Sequence, residues 1–256
     1  MMVTEPPPDV RWQALLVGVA SNVHSENPGF VQSLNSQAEL ARALERNMPG
    51  LLDDGLIVLP EPRYAQEVTD AIALLNQTHD KDGNAGLVRP GLLFYYCGHG
   101  MNAGEHLYFS MVETIDNDTS RRRTGLALSA VLDTIRDTEF KRPRVLLILD
   151  CCFAGLAGEE SAARRAHLLM AVGPDVLATH DPSSTGPTHF TAALVELLRE
   201  GDPAAGPWID LDTAYRWLQA RLPARHGADR QPYHQYPAGG GGAIVLGRNR
   251  AYPGPH

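Results

Sequence analysis

Two short stretches of this chain carry the residue types that covalent chemistry needs. The first, GLLFYYCGHG, runs from Gly91 to Gly100 and brings an apolar segment to an abrupt end on His99, set between two glycines. The second, RVLLILDCCFAG, ends another apolar segment on Asp150, Cys151 and Cys152. A cysteine attacks as its thiolate, and a free thiol is mostly protonated near neutral pH. A neighbouring histidine changes this: as a cation it stabilises the thiolate, and it later protonates a leaving amine. The glycines around His99 allow a substrate backbone to approach closely. The Gly100 N–H is then a donor to a developing oxyanion, and the Cys152 N–H is the second. The parts fit acyl transfer through a thioester at Cys152, with His99 as acid and base, which is amide hydrolysis.

Zinc is the rival chemistry, because Cys97, His99, Cys151 and Cys152 offer sulfur and nitrogen ligands. Neighbouring residues on a strand point to opposite faces, however, and no C-x-x-C pair occurs, so no metal is expected. The chain has three cysteines, Cys97, Cys151 and Cys152, and an odd number makes no disulfide framework. All three fall at ends of apolar segments.

Those segments must be placed by a scaffold, and the rest of the sequence describes one. ALLVGVA, from Ala14 to Ala20, is a near-continuous apolar run, as expected of a strand buried on both faces of a parallel sheet. A helix is expected from about Phe30 to Arg46 on the spacing of Val31, Leu34, Ala38, Ala41 and Leu44. GLIVLP reads as a second strand, and Ala65, Val68, Ile72 and Leu75 mark one face of a second helix. After the His99 strand, residues 101–124 form a polar excursion in which EHLYFS is a short strand. Ser129 is placed to cap a helix carrying Leu132 and Ile135. HLLMAV is a fifth strand after the Cys152 strand, THFTAALVELL a helix, and Leu211 to Leu222 another. The Pro- and Gly-rich segment RQPYHQYPAGGGG precedes a last strand, AIVLG. Strands alternating with helices mean an α/β fold with a mostly parallel, helix-covered sheet, and ligands bind such sheets beyond the carboxyl ends of the strands. His99 and Cys152 fall there on two different strands.

The bulk properties narrow the class. With 256 residues, 43% hydrophobic and 20% charged, the chain is long enough for one substantial globular domain. A net charge of −8 gives no reason to expect nucleic acid or an anionic membrane surface as partner. No apolar run approaches the roughly 18 residues of a membrane span. The N-terminal stretch MMVTEPPPDVRW has no apolar core of a signal peptide, so the cytoplasm is expected. Residues 1–10 read as a tail and 11–250 as a single domain.

YYCGHG and LDCCFAG together resemble the His-Gly and Asp-x-Cys motifs of the caspase-like cysteine peptidases, most of all the metacaspases and their bacterial relatives. His99 precedes Cys152 by about 50 residues, the caspase spacing. The resemblance implies a caspase-like three-layer sandwich. Its large-subunit-like part would span about 11–157, a linker 158–166, and a small-subunit-like part 167–250. His99 is then the catalytic histidine and Cys152 the nucleophile of a cysteine endopeptidase. Asp150, two residues before the nucleophile, lines the pocket for the substrate residue before the cut and favours Arg or Lys there. Cys97 lines the same pocket. A second acidic pocket residue is either Asn22, which would be a departure from the acidic type, or Glu26.

The resemblance also points to self-cleavage at Arg164 or Arg165, in the linker, with Arg121 to Arg123 as a second place. No cofactor is expected, although Asp116 and Asp118 raise the calcium dependence known in the family. Protein or peptide substrates are implied, together with an activating protein partner and a bacterial stress or anti-phage defence role. A caspase-fold scaffold without catalysis is the alternative reading, and a peptidase of acidic or other preference a third.

Overall fold

The computed structural model describes residues 11–24, 30–77, 90–117, 119–136, 144–173, 184–226, 231–237 and 244–253. Five parallel strands form the body of one sheet: β1 (Trp12–Gly18), β2 (Leu51–Pro60), β3 (Gly91–Cys97), β7 (Val145–Asp150) and β8 (His167–Met170). A short antiparallel edge strand, β10 (Tyr233–Gln235), completes the order β10-β8-β7-β3-β1-β2. The near-continuous apolar runs of β1 and β3 are explained by burial of every residue along them.

Alternation divides these side chains between two cores. Ala14, Leu16, Leu93, Tyr95, Cys97, Leu146 and Ile148 pack on one face against α1 (Gln32–Asn47), α5 (His189–Glu200) and α6 (Leu211–His226). Leu15, Val17, Phe94, Tyr96, Leu147, Leu149 and Cys151 pack on the other against α2 (Ala65–Gln77) and α4 (Leu128–Arg136). The result is a three-layer sandwich. A small antiparallel sheet of β4 (Gly100–Ala103), β5 (His106–Phe109) and β6 (Leu126–Ala127) follows directly on β3, with the one-turn helix α3 (Arg121–Thr124) before β6.

Several elements differ from the sequence reading. Helix α1 buries Gln32, Ser33, Ser36 and Gln37 in its first half, while Val31 is exposed and Leu34 and Ala38 only half-buried. Its inward face there is polar because hydrogen bonds await it: the Gln37 amide donates to the Leu16 carbonyl at 2.7 Å. Ser129 lies inside α4, which starts at Leu128, and is not its cap. Strand β2 begins at Leu51, earlier than GLIVLP. The last strand, β11 (Val245–Arg248), pairs with β9 (Trp208–Asp210) in a separate two-stranded sheet. The Pro- and Gly-rich segment before it contributes β10, whose three residues are too few to show periodicity.

Candidate functional site

The registers of the central strands fix where the chemistry sits. Pro60 pairs with Gly18, Gly18 with Cys97, and Cys97 with Asp150, so one row crosses the sheet at its carboxyl edge. His99 and Cys152 each lie two residues beyond that row, on adjacent parallel strands. Their neighbours are in direct contact: a Cβ added at Gly100 would stand 2.0 Å from the Cys152 carbonyl oxygen and 3.0 Å from Cys151 Sγ. Only a glycine lets these two strand ends approach so closely.

Each chain end is held in place. The His99 carbonyl accepts the Ser110 N–H at 2.9 Å. Tyr96 Oη lies 2.8 Å from the Ser110 carbonyl and 3.2 Å from that of His99, sharing its one proton between them. Gly98 makes room for this hydroxyl, since a Cβ there would be 2.5 Å from it. The His99 ring is tilted against Phe30 with centroids 5.7 Å apart. After Cys152 the chain turns sharply: Phe153 adopts a left-handed φ of 57°, then a 3-10 turn runs from Ala154 to Gly158. A left-handed conformation costs a non-glycine residue about 1 kcal/mol, and such strain gathers at functional sites. Replacing Tyr96 by Phe removes the clamp on His99 without changing the ring. We expect a loss of about 1–3 kcal/mol in denaturant unfolding, because the buried Ser110 carbonyl loses this donor.

The three thiols have different environments. Cys97 and Cys151 are buried, and Cys152 is half-buried. Burial pushes the thiols of Cys97 and Cys151 well up, so both stay protonated. Among the cysteines, Cys152 alone reaches the surface.

Asp150 is 4% exposed, and burial raises its carboxyl above the usual range. Opposing that, Oδ2 accepts from Thr191 Oγ1 at 2.6 Å, from Thr188 Oγ1, and from Cys97 Sγ at 3.7 Å. Cys97 therefore stands beside Asp150, as the pairing of their strands requires. Asn22 is a brace: its amide donates to Ser110 Oγ and the Thr114 carbonyl, and its oxygen accepts the His24 N–H. Glu26 and Asp118 lie outside the described residues.

Arg164 and Arg165 are exposed at the end of a 3-10 turn, Ser161–Arg165, that leads straight into β8. This segment is tied down: Glu160 accepts the Leu107 N–H at 3.0 Å, Arg136 donates to the Ala162 carbonyl, and Ala163 and Ala166 are buried. Arg121 is paired with Asp116, which is thereby engaged by a cation. Among the described residues, no group of three or more His, Cys, Asp or Glu side chains is arranged to hold a metal ion. No helix among them is long and apolar enough to cross a membrane.

This architecture matches solved structures closely enough to class the fold. Caspase-1 from Spodoptera frugiperda superposes with a TM-score of 0.58 over 89% of this chain and 88% of its own, at 14% identity. A structure of pro-sf-caspase-1 gives 0.56 over 89% and 91%, also at 14% identity. The fold is caspase-like. No family model matches the sequence, and no curated protein matches it. The caspase-like fold brings together the two motif-bearing strands and sets Cys97 and Asp150 side by side. Sequence reasoning missed Tyr96, Thr188 and Thr191. Of these only Thr188 had a readable signal, as a threonine just before a helix; it is the N-cap of α5, accepting the Thr191 N–H.

Proposed function

We propose that the chain is a cysteine endopeptidase with a Cys152–His99 dyad that cuts after basic residues. The observation carrying this is that Cys152 is a half-buried cysteine, with its own carbonyl packed against the residue after His99. In the proposed reaction His99 takes the Cys152 proton and the thiolate attacks the scissile carbonyl carbon. The Gly100 and Cys152 N–H groups hold the oxyanion. The C–N bond breaks as His99 returns the proton to the leaving amine, which leaves a thioester. Water, deprotonated by His99, attacks the thioester to release the acid and restore the thiol. The strain at Phe153 supports a strand end shaped for this task.

Asp150 supports the basic preference, as a carboxylate beside Cys97 at the same edge of the sheet. The resemblance to metacaspases and their bacterial relatives carries the wider reading of a cytoplasmic stress or defence effector, switched on by a partner protein. The peptide bonds at Arg164 and Arg165 lie in a tied-down segment, so self-cleavage there proceeds through local opening.

Initial rates on fluorogenic peptides ending in Arg, Lys, Asp or Leu, with and without calcium, test the proposal. Cleavage after Arg and Lys is expected, and in Asp150→Asn kcat/KM for the Arg peptide should fall by roughly 100-fold, as when one member of a buried charge pair is truncated. A preference for Asp would sink the pocket assignment. Silence from every peptide, together with failure of a thiol-directed electrophile to label Cys152, would leave only a scaffold.

A further inference from the structure

The donors to Asp150 form a chain whose proton directions are all set by its acceptor. An ionised carboxylate only accepts, so Thr188 and Thr191 each give Asp150 Oδ2 their single hydroxyl proton. Thr191 Oγ1 must then accept from Tyr95 Oη, 2.8 Å away. Thr188 Oγ1 likewise accepts from Ser36 Oγ at 3.4 Å and from the Thr191 N–H at 3.1 Å, while Ser36 Oγ accepts the Thr188 N–H at 2.8 Å. Among the described residues, the hydroxyls of Thr188 and Thr191 and the thiol of Cys97 all converge on Oδ2. The residues come from α1, from β3 and from the start of α5, on both sides of the segment 158–166.

We propose that Thr188 and Thr191 are specificity-positioning residues: by tying down Asp150 Oδ2 they turn Oδ1 toward the cationic side chain of an arginine or lysine substrate. The inference rests on the peptidase reading above. Among the described residues, Tyr95 and Cys97 from β3 and the adjacent Cys151 interact with Asp150, and burial pushes all three up, so they are neutral. From α1 and the start of α5, the side chains in this network are the uncharged hydroxyls of Ser36, Thr188 and Thr191. Burial raises the Asp150 carboxyl and the threonine hydroxyls oppose that rise. Removing a hydroxyl raises it further, so the charge that attracts a basic side chain is lost at a higher pH on acidification.

The test is Thr191→Val, nearly the same shape without the donor, assayed on Arg and Leu peptides across pH. The preference for Arg over Leu should fall by roughly 10- to 100-fold, the worth of a hydrogen bond to a charged group. The acid limb for the Arg peptide should move to higher pH, and Thr191→Ser should restore both. Labelling of Cys152 by a thiol-directed electrophile should keep its wild-type rate, which separates pocket positioning from general damage. An unchanged preference and acid limb, or loss of preference with equal loss of labelling, overturns the inference. Should Thr191→Val fail to fold, the carbon-13 carboxyl signal of Asp150 in the wild type decides, assigned by its absence in Asp150→Asn. A carboxylate at pH 7 upholds the network, and a neutral acid overturns it. Absence of Arg cleavage by the wild type, by contrast, counts against the peptidase reading itself.

Discussion

Cys152→Ala is expected to lower kcat/KM on an Arg peptide by about 10⁴-fold or more while leaving the protein folded. The size follows from what the thiol does. Without it no thioester forms, and what remains is the contribution of oxyanion stabilisation and binding, as when the nucleophile of a catalytic unit is removed. The selectivity follows from burial. Cys97 and Cys151 are sealed in the two cores and held protonated, so neither can substitute for the half-buried Cys152. Truncation of this half-buried residue should change the unfolding free energy by less than about 1 kcal/mol. His99→Ala should cost nearly as much activity as Cys152→Ala, and the double variant should lose no more than either alone, because a nucleophile and its base act as one unit. Steady-state kinetics of the three variants beside thermal melts measure this. A loss of only 10-fold in Cys152→Ala, or additive losses in the double variant, would mean that the two residues do not share a reaction.

Much of this arrangement was legible in the sequence, and the reason is physical. A strand buried on both faces is largely apolar, so β1, β3 and β7 announce themselves despite Gln13 in β1, and the polar residues that end β3 and β7 are conspicuous. The gap between His99 and Cys152 could be read by counting. The register of Cys97 with Asp150 could not, because strand pairing depends on distant segments. Elements without periodicity were missed for a related reason. β10 has three residues and is held by its partner β8, not by its own pattern. The polar face of α1 misled more deeply. Ser33, Ser36 and Gln37 face inward, so an apolar-periodicity reading picks Val31, Leu34 and Ala38 instead. Buried polar groups are tolerated where partners exist, and for Ser36 the partner is Thr188, at a sequence distance that no local pattern reveals. As partners of Asp150 the hydroxyls were invisible for that reason: Thr188 could be read only as a helix cap, and the others are ordinary residues until the fold brings them to one carboxylate.

Gly100→Ala is expected to damage stability and activity together, which no alanine of ordinary surface position does. The added methyl would meet the Cys152 carbonyl oxygen at 2.0 Å and its carbonyl carbon at 3.1 Å, with Cys151 Sγ at 3.0 Å on a third side. Two of these are backbone atoms of the strand end that carries the proposed nucleophile, so no rotamer change relieves the clash. Either the start of β4 lifts away, pulling on the His99 carbonyl held by Ser110 and Tyr96, or the Cys152 peptide moves. Overpacking of this kind typically costs 1–3 kcal/mol and occasionally more; with backbone on the opposing side the upper figure applies, a drop of roughly 10 °C in melting temperature. Displacing the thiol by even about 1 Å misaligns attack, for which 10²-fold losses are usual. Gly104 is the matched control. It has a left-handed φ of 71°, but a Cβ there meets nothing nearer than the Arg122 guanidinium at 3.7 Å. Gly104→Ala should therefore cost about 1 kcal/mol in backbone strain and leave peptide cleavage intact. If Gly100→Ala instead kept wild-type kcat/KM, the close approach of the two strand ends would have no part in the chemistry, and the dyad would have to be sought in another geometry.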